Sequence, residues 1–293
     1  MNKLPLSAII LTYNEEKNIE YCLKSVHGLA DEIFIVDSGS KDKTLEIAKG
    51  YINQIHYHTF ETHSKQWNWA LNNLPIKNQW VLGLDADQII TPELADEIGK
   101  ILINNKTDKN DGYYIKRRQI FMGRWIKHGG YYPYYLLKLF KKNCVKVEEK
   151  ELIDHHFYVN GNTGKLKNDL IEWNRKEDDL SFWIDKHNKY ATLQAIEEYS
   201  YRYDPKNDGS FFSDKDRRTL WLKSKIWRKL PLFIRPFLYF IYRYCFRLGF
   251  LDGKEGLIFH FLQGFWYRFL VDAKIYEYKK GLRDRDYGLR GKK

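Results

Sequence analysis

Residues 80–87 read Trp-Val-Leu-Gly-Leu-Asp-Ala-Asp, an apolar run that stops on two carboxylates one residue apart. The run is too short for a helix and has no exposed face, so it predicts a buried strand whose C-terminal end delivers Asp85 and Asp87 to a crevice. Two acids at such an exit suit a hard divalent cation, Mg²⁺ or Mn²⁺, with diphosphate oxygens completing the shell. The same residues are also ordinary turn formers. Thr91-Pro92-Glu93 just behind them reads as an N-cap with Pro at the first helical position.

The N-terminal part repeats this grammar. Leu6–Leu11 predicts a strand, followed by Thr12-Tyr13-Asn14-Glu15 and a helix with Ile19, Cys22, Leu23 and Val26 at i, i+3, i+4, i+7 spacing. Glu32–Val36 predicts a second strand ending in Asp37-Ser38-Gly39-Ser40, Ile55–Phe60 a third, and Gln79–Leu84 a fourth, with a helix over Trp67–Leu74 between the last two. Strands alternating with helices at this spacing predict an α/β, Rossmann-like fold, a mostly parallel sheet with helices on both faces. Three of the four strands end in polar or acidic clusters, which such a sheet gathers along one crevice.

Beyond residue 110 the pattern changes. Gly112–Lys116 and Tyr135–Phe140 predict strands around a long loop or pair of short elements at 118–134. A polar helix starts near Phe182, and the Asp204–Ser210 segment is the candidate linker. The expected domains are therefore 1–203, catalytic, and 204–293, a basic aromatic helical tail. In the tail, Trp221–Leu230 mixes Trp, Leu and Ile with Lys and Arg, and Arg243 and Arg247 lie four apart among Phe, Tyr and Leu. Basic, aromatic amphipathic helices belong at a membrane interface, the alternative being a helical cap packed on the catalytic domain. Arg235, Arg243, Arg247 and Asp252 interrupt any stretch long enough to span a bilayer.

A net charge of +11 calls for anionic partners. Three widely spaced cysteines argue against a disulfide framework, and the N-terminus reads as a first strand rather than a signal peptide, so a cytoplasmic protein is expected.

Four motifs in order, SAIILTYNEEKNIEYCLKSV, EIFIVDSGSKDKT, KQWNWAL and WVLGLDADQIITPEL, resemble those of family 2 glycosyltransferases, inverting enzymes of the GT-A fold. More narrowly, the chain is similar to the bacterial lipopolysaccharide-core and capsule branch, whose tail carries a stretch like RPFLYFIYRYCFRLGFLDGKEGLIFHFLQGFWYRFLVDAKIYE. The resemblance implies a nucleotide-sugar site at Thr12, Tyr13, Asn14, Glu15, Asp37, Lys65, Asn68, Asp85 and Ala86, with Asn14 and Glu15 beside base and ribose and Asp37 on the uridine. It implies metal ligation by Asp87, with His156 as a further ligand or a structural residue. Relatives carry adjacent acids followed by His where this chain reads Asp154-His155-His156, which leaves the general base open among Asp154, Glu149 and Glu151. Arg117, Arg118 and Arg124 are candidates for the diphosphate or an anionic acceptor.

The expected reaction is metal-assisted, inverting transfer of a hexose from a nucleoside diphosphate sugar, with UDP as carrier, to a glycan or lipid-linked acceptor of cell-surface polysaccharide or lipopolysaccharide. It would take place on the cytoplasmic face of an anionic membrane. The rival readings are a nucleotidyltransferase acting on sugar phosphates, against which the lack of a Gly-rich phosphate loop counts, and a basic binder of nucleic acid or membrane surface. The second leaves Asp37, Asp85 and Asp87 without a task, so no nucleic acid partner is expected.

Overall fold

The first strand, β1 (Leu4–Thr12), is buried along almost its whole length, and its side chains alternate between two cores. Leu6, Ala8 and Ile10 join one cluster with Ile19, Leu23 and Val26 of α1 (Ile19–His27) and Leu94 and Ile98 of α4 (Pro92–Ile103). Ile9 points the other way, to Trp67, Ala70 and Leu71 of α3 (His63–Asn73). That alternation is why the strand reads as continuously apolar: both sheet faces are covered by helices. Each fully buried Leu, Ile or Phe contributes about 1.5–3 kcal/mol to the fold.

In the computed structural model, residues 3–103, 109–147, 156–203, 227 and 230–281 are described. The chain divides into two units, one of residues 1–127 and 131–179 and the other of 128–130 and 180–293. The linker expected at 204–210 and most of the basic segment 221–230 lie outside the described residues.

The remaining strands of the first unit are β2 (Ala30–Asp37), β3 (Ile55–Tyr57), β4 (Trp80–Asp85), β5 (Gln88–Ile90), β6 (Gly112–Phe121), β7 (Arg124–Trp125), β8 (Tyr134–Lys141), β9 (Val145–Val147), β10 (Phe157–Val159) and β11 (Thr163–Glu172), with α2 (Thr44–Lys49) after β2. The main sheet runs β3-β2-β1-β4-β8-β6-β11-β5, with β7 on β6, and β9 and β10 form a separate pair. The pairings make β1, β2, β3, β4, β6 and β11 run one way and β5, β7 and β8 the other. The mostly parallel α/β sheet expected from the sequence is thus present. Gly83 has a packing reason: a Cβ there would lie 3.1 Å from both Trp67 and Phe157, whose rings meet edge to face over the sheet.

Local signals account for several boundaries. Thr91 Oγ1 accepts the Leu94 N–H at 3.2 Å and Pro92 opens α4, the cap read in the sequence. The expected third strand shrinks to Ile55–Tyr57, while β6 runs on through Phe121 and turns into β7, so half of the expected loop is a hairpin.

The second unit is helical: α5 (Leu180–Tyr203), α6 (Arg235–Ile241) continued by a π turn over Tyr242–Phe246, α7 (Gly253–Phe259) continued by a π turn over His260–Trp266, and α8 (Tyr267–Lys279). Ala191 and Ala195 of α5 pack on Tyr267, Val271 and Ile275 of α8. Among the described residues no helix is long and apolar enough to cross a membrane.

Candidate active site

Strand β1 lies between β2 and β4, parallel to both. Its Thr12 is level with Asp37 of β2, and its Leu11 is level with Asp85 of β4. Neighbouring strands lie about 4.8 Å apart, so both acids stand at the carboxyl edge of three consecutive strands. Beyond Asp85 the chain makes a tight turn at Ala86 and Asp87 and returns as β5, which pairs with β11. The Asp87 carbonyl accepts the Trp173 N–H at 3.0 Å, fixing that turn to the end of β11.

Asp37 is 2% exposed and satisfied by its own surroundings. Its Oδ2 accepts the N–H groups of Gly39 and Ser40, each at 2.8 Å, and its Oδ1 accepts the hydroxyls of Thr12 and Ser40. Gly39 sits at φ +93°, where a side chain is strained. Asp37 is therefore both the turn former and the buried acid of this edge.

The β1–α1 loop is laced to the β2–α2 loop. Asn14, at φ 53°, donates its N–H to Ser40 Oγ (2.9 Å) and accepts the Lys41 N–H on Oδ1 (2.8 Å), while the Glu15 N–H donates to Thr44 Oγ1 (2.6 Å). The Glu15 carboxylate accepts from Asn18 Nδ2 (2.7 Å) and Lys176 Nζ (2.5 Å), and Lys176 also reaches the Asn14 carbonyl (3.1 Å). Neither Asn14 nor Glu15 is the cap of α1, whose N-cap position is Asn18. Tyr13 projects outward, 54% exposed.

Asp85 Oδ2 is 2.9 Å from Lys138 Nζ, on the neighbouring strand β8, and that lysine side chain is 4% exposed. The Asp85 N–H donates to Gln88 Oε1, Gln88 Nε2 donates to Glu172 Oε2, and Arg117 donates to Glu172 Oε1, a chain reaching across three further strands. Beneath the turn, Cys22 Sγ donates to the Asp85 carbonyl. Burial pushes the Cys22 thiol well up, and the charges of Asp87, Asp85 and Glu15 push it the same way.

Asp85 and Asp87 are both partly exposed and offer only carboxylate oxygens, the donor chemistry of a hard divalent cation. The residues present fit Mg²⁺ or Mn²⁺. Among the described residues no cluster of three or more His, Cys, Asp or Glu is arranged for a metal, so such an ion would draw the rest of its shell from water and diphosphate. His156 is exposed, its ring 6.5 Å from Tyr158.

Other expected residues are engaged elsewhere in the first unit. Lys65 pairs with Glu61 on the exposed side of α3, and Asn68 Nδ2 donates to the Val147 carbonyl at 3.2 Å. Arg117 pairs with Glu172, Arg118 pairs with Asp169 at 2.7 Å, and Arg124 is exposed. Glu149, Glu151 and Asp154 lie outside the described residues. Lys138, Lys176 and Gln88 were not singled out in the sequence. Nothing in their local context marks them, because each gains its meaning only from its partner.

The mostly parallel sheet with helices on both faces is the α/β architecture of GT-A proteins. The model of Glycosyl transferase family 2 matches residues 7–164, and the chain belongs to that family. It is a glycosyltransferase, which sets aside the non-enzymatic reading. Similar proteins include the lipopolysaccharide core biosynthesis glycosyltransferase LpsC of Rhizobium meliloti, 28% identical over 94% of this chain and 93% of LpsC. An uncharacterized glycosyltransferase of Rickettsia bellii is 27% identical over 93% and 86%. Among solved structures, S. aureus TarS 1–349 is 17% identical over 94% of this chain and 91% of that one, at TM-score 0.44. Glucosyl-3-phosphoglycerate synthase from Mycobacterium tuberculosis, in complex with Mn²⁺, UDP and glucosyl-3-phosphoglycerate, covers 40% of this chain and 44% of its own at 21% identity and TM-score 0.32.

Proposed function

We propose that the protein transfers a hexose, with inversion, from a nucleoside diphosphate sugar carried on UDP to a glycan or lipid-linked acceptor of lipopolysaccharide or capsule synthesis. It would act as a peripheral protein on the cytoplasmic face of an anionic plasma membrane. The observation that carries the reading is the placement of Asp37 and Asp85 at the carboxyl edge of three consecutive parallel strands, with Asp87 in the turn after Asp85 and Glu15 in the loop after β1. In this proposal Thr12, Tyr13, Asn14, Glu15 and Asp37 form the nucleoside side, with Lys65 and Asn68 of α3 approaching the donor. Asp85 and Ala86 border the ribose and diphosphate.

Asp87, with His156 as a second ligand, would hold the divalent cation, whose charge offsets that growing on the departing diphosphate. Lys138 holds the Asp85 carboxylate in place, and Lys176 does the same for Glu15. The acceptor hydroxyl attacks the anomeric carbon on the face opposite the diphosphate as Asp154, or Glu149 or Glu151 beside it, takes its proton. The glycosidic C–O bond forms as the bond to diphosphate breaks, which inverts the centre.

A thermal-shift screen of nucleoside diphosphate sugars with Mn²⁺, with Asp87→Ala as control, tests the reading. A UDP-sugar is expected to raise the melting temperature in a Mn²⁺-dependent way in the native protein and not in the variant. Equal stabilisation of both, or none by any donor, counts against it.

A further inference from the structure

In the second unit, the stretch 235–259 buries several charged side chains and exposes many of its large apolar ones. Between residues 235 and 259 three charged side chains are buried: Arg235 is 1% exposed, Asp252 3% and Arg243 7%, while Arg247 and Lys254 are exposed. Each of the buried three is held by partners of the same unit. Arg235 Nε donates to Asp272 Oδ1 (2.7 Å) and its NH2 nitrogen to Glu198 (2.8 Å), and Arg243 Nε donates to the Gly129 carbonyl (2.7 Å). Asp252 accepts the His128 N–H (2.8 Å) and pairs with the His128 ring (2.6 Å).

The large apolar side chains of the same stretch face outward. Phe237, Leu238, Ile241, Leu251 and Leu257 are about half exposed, and Phe246 is 75% exposed. The two segments lie side by side and antiparallel, since Phe237 meets Phe265, Phe240 meets Phe261, and Tyr244 meets His260. This inverts the pattern that keeps a helix pair at ease in water, and an apolar surface of this extent marks one that another phase or molecule covers.

Charge identifies the occupant. In residues 235–259 the exposed charged side chains are both cationic, Arg247 and Lys254, with Glu255 partly buried. A second copy seated on the same face would bring like charges together, whereas anionic headgroups would neutralise them while the rings and aliphatic chains enter the acyl boundary. We infer that the outward face of α6 and α7 is a membrane-insertion face that seats in one lipid leaflet chiefly through apolar contact, with its cations in a secondary role. The inference rests on the peripheral-membrane part of the proposed function and not on its chemistry.

Vesicle co-sedimentation of the full chain tests it, using phosphatidylcholine alone or mixed with phosphatidylglycerol, at low salt and at ~1 M NaCl, where charge is screened. Binding to both vesicle types that survives the salt is expected. Phe246→Ser combined with Leu251→Ser, both at exposed positions, should weaken it by about tenfold or more, with the circular dichroism spectrum unchanged. A nitroxide on exposed Cys245, in a Cys144→Ser background, should gain oxygen accessibility on binding. Binding that needs the anionic lipid and vanishes at ~1 M salt, or that the double variant leaves intact, overturns the proposal. So does a dimer that the variant dissociates with no vesicle binding by either protein. Donor-induced stabilisation, read in a separate lipid-free thermal shift, reports on the sugar-transfer reading alone.

Discussion

Lys138 Nζ lies 2.9 Å from Asp85 Oδ2, and the lysine side chain is almost wholly buried while the aspartate is one-third exposed. A buried ammonium is tolerated only when paired, so this ion pair fixes where one carboxylate of the strand-end turn points. Lys138→Met is expected to lower kcat/KM by about 10–100-fold and to raise the Mn²⁺ concentration needed for half-maximal activity. Lys138→Arg, which keeps the charge, should recover part of both. An unchanged Mn²⁺ requirement would make the residue purely structural.

Asp87 occupies the turn itself and contributes a carboxylate without being part of the buried core. Asp87→Asn preserves size and removes charge, so turnover of any donor should fall by about 10³-fold or more while the melting temperature of the free protein stays within a few degrees. Nucleotide release from a donor sugar, followed with and without Mn²⁺, reads the result.

Burial, reinforced by Arg243, holds the His260 imidazole down at about 4, although Asp252 opposes the shift. The folded value lies below the ordinary value of 6.5, so the contribution to stability is complete above pH 6.5. It is lost as pH falls toward 4, because the unfolded chain takes up the proton first. Between pH 7 and pH 5 this amounts to about 2 kcal/mol. Urea midpoints at the two pH values should show it, and His260→Gln should flatten that slope. Glu32 and Asp42, whose carboxyls are held below their ordinary values by hydrogen bonds that outweigh burial, titrate at lower pH and do not enter this window.

Gly129 has φ +66°, and a Cβ there would fall 2.1 Å from His260 Cε1. Gly129→Ala should cost about 2 kcal/mol or more, combining overpacking with left-handed strain. Gly123, at φ +74° with nothing within 4 Å of its would-be Cβ, provides the control: alanine there should cost about 1 kcal/mol. Equal losses at the two positions would show that backbone strain alone sets the penalty.

The parallel half of the sheet was legible because β1, β2 and β4 are buried on both faces, which leaves an unbroken apolar string ending in polar residues. The α1 periodicity and the Thr91-Pro92 cap were legible because they are local. The far half was not. β5 is three residues long and exists only by pairing with β11, and no spacing rule announces such a strand. The contacts that hold the acids escaped for a related reason: Lys138 meets Asp85 across 53 residues and Lys176 meets Glu15 across 161. In the tail, the sequence showed cations among aromatics but not which side faced inward. The structure buries Arg235 and Arg243 and turns Phe246 out, reversing the roles that charge and ring would take on an electrostatic anchor.

The shared register of β2, β1 and β4 has an evolutionary consequence. Shifting any one of the three by a residue would turn its apolar side chains to the opposite core as well as move an acid, so the spacing of Asp37 and Asp85 is protected by the cost of unfolding. Exposed positions of the 118–134 segment, such as Arg124, carry no such register penalty. Descendants of this chain could therefore vary such exposed positions while inheriting the placement of the two acids intact.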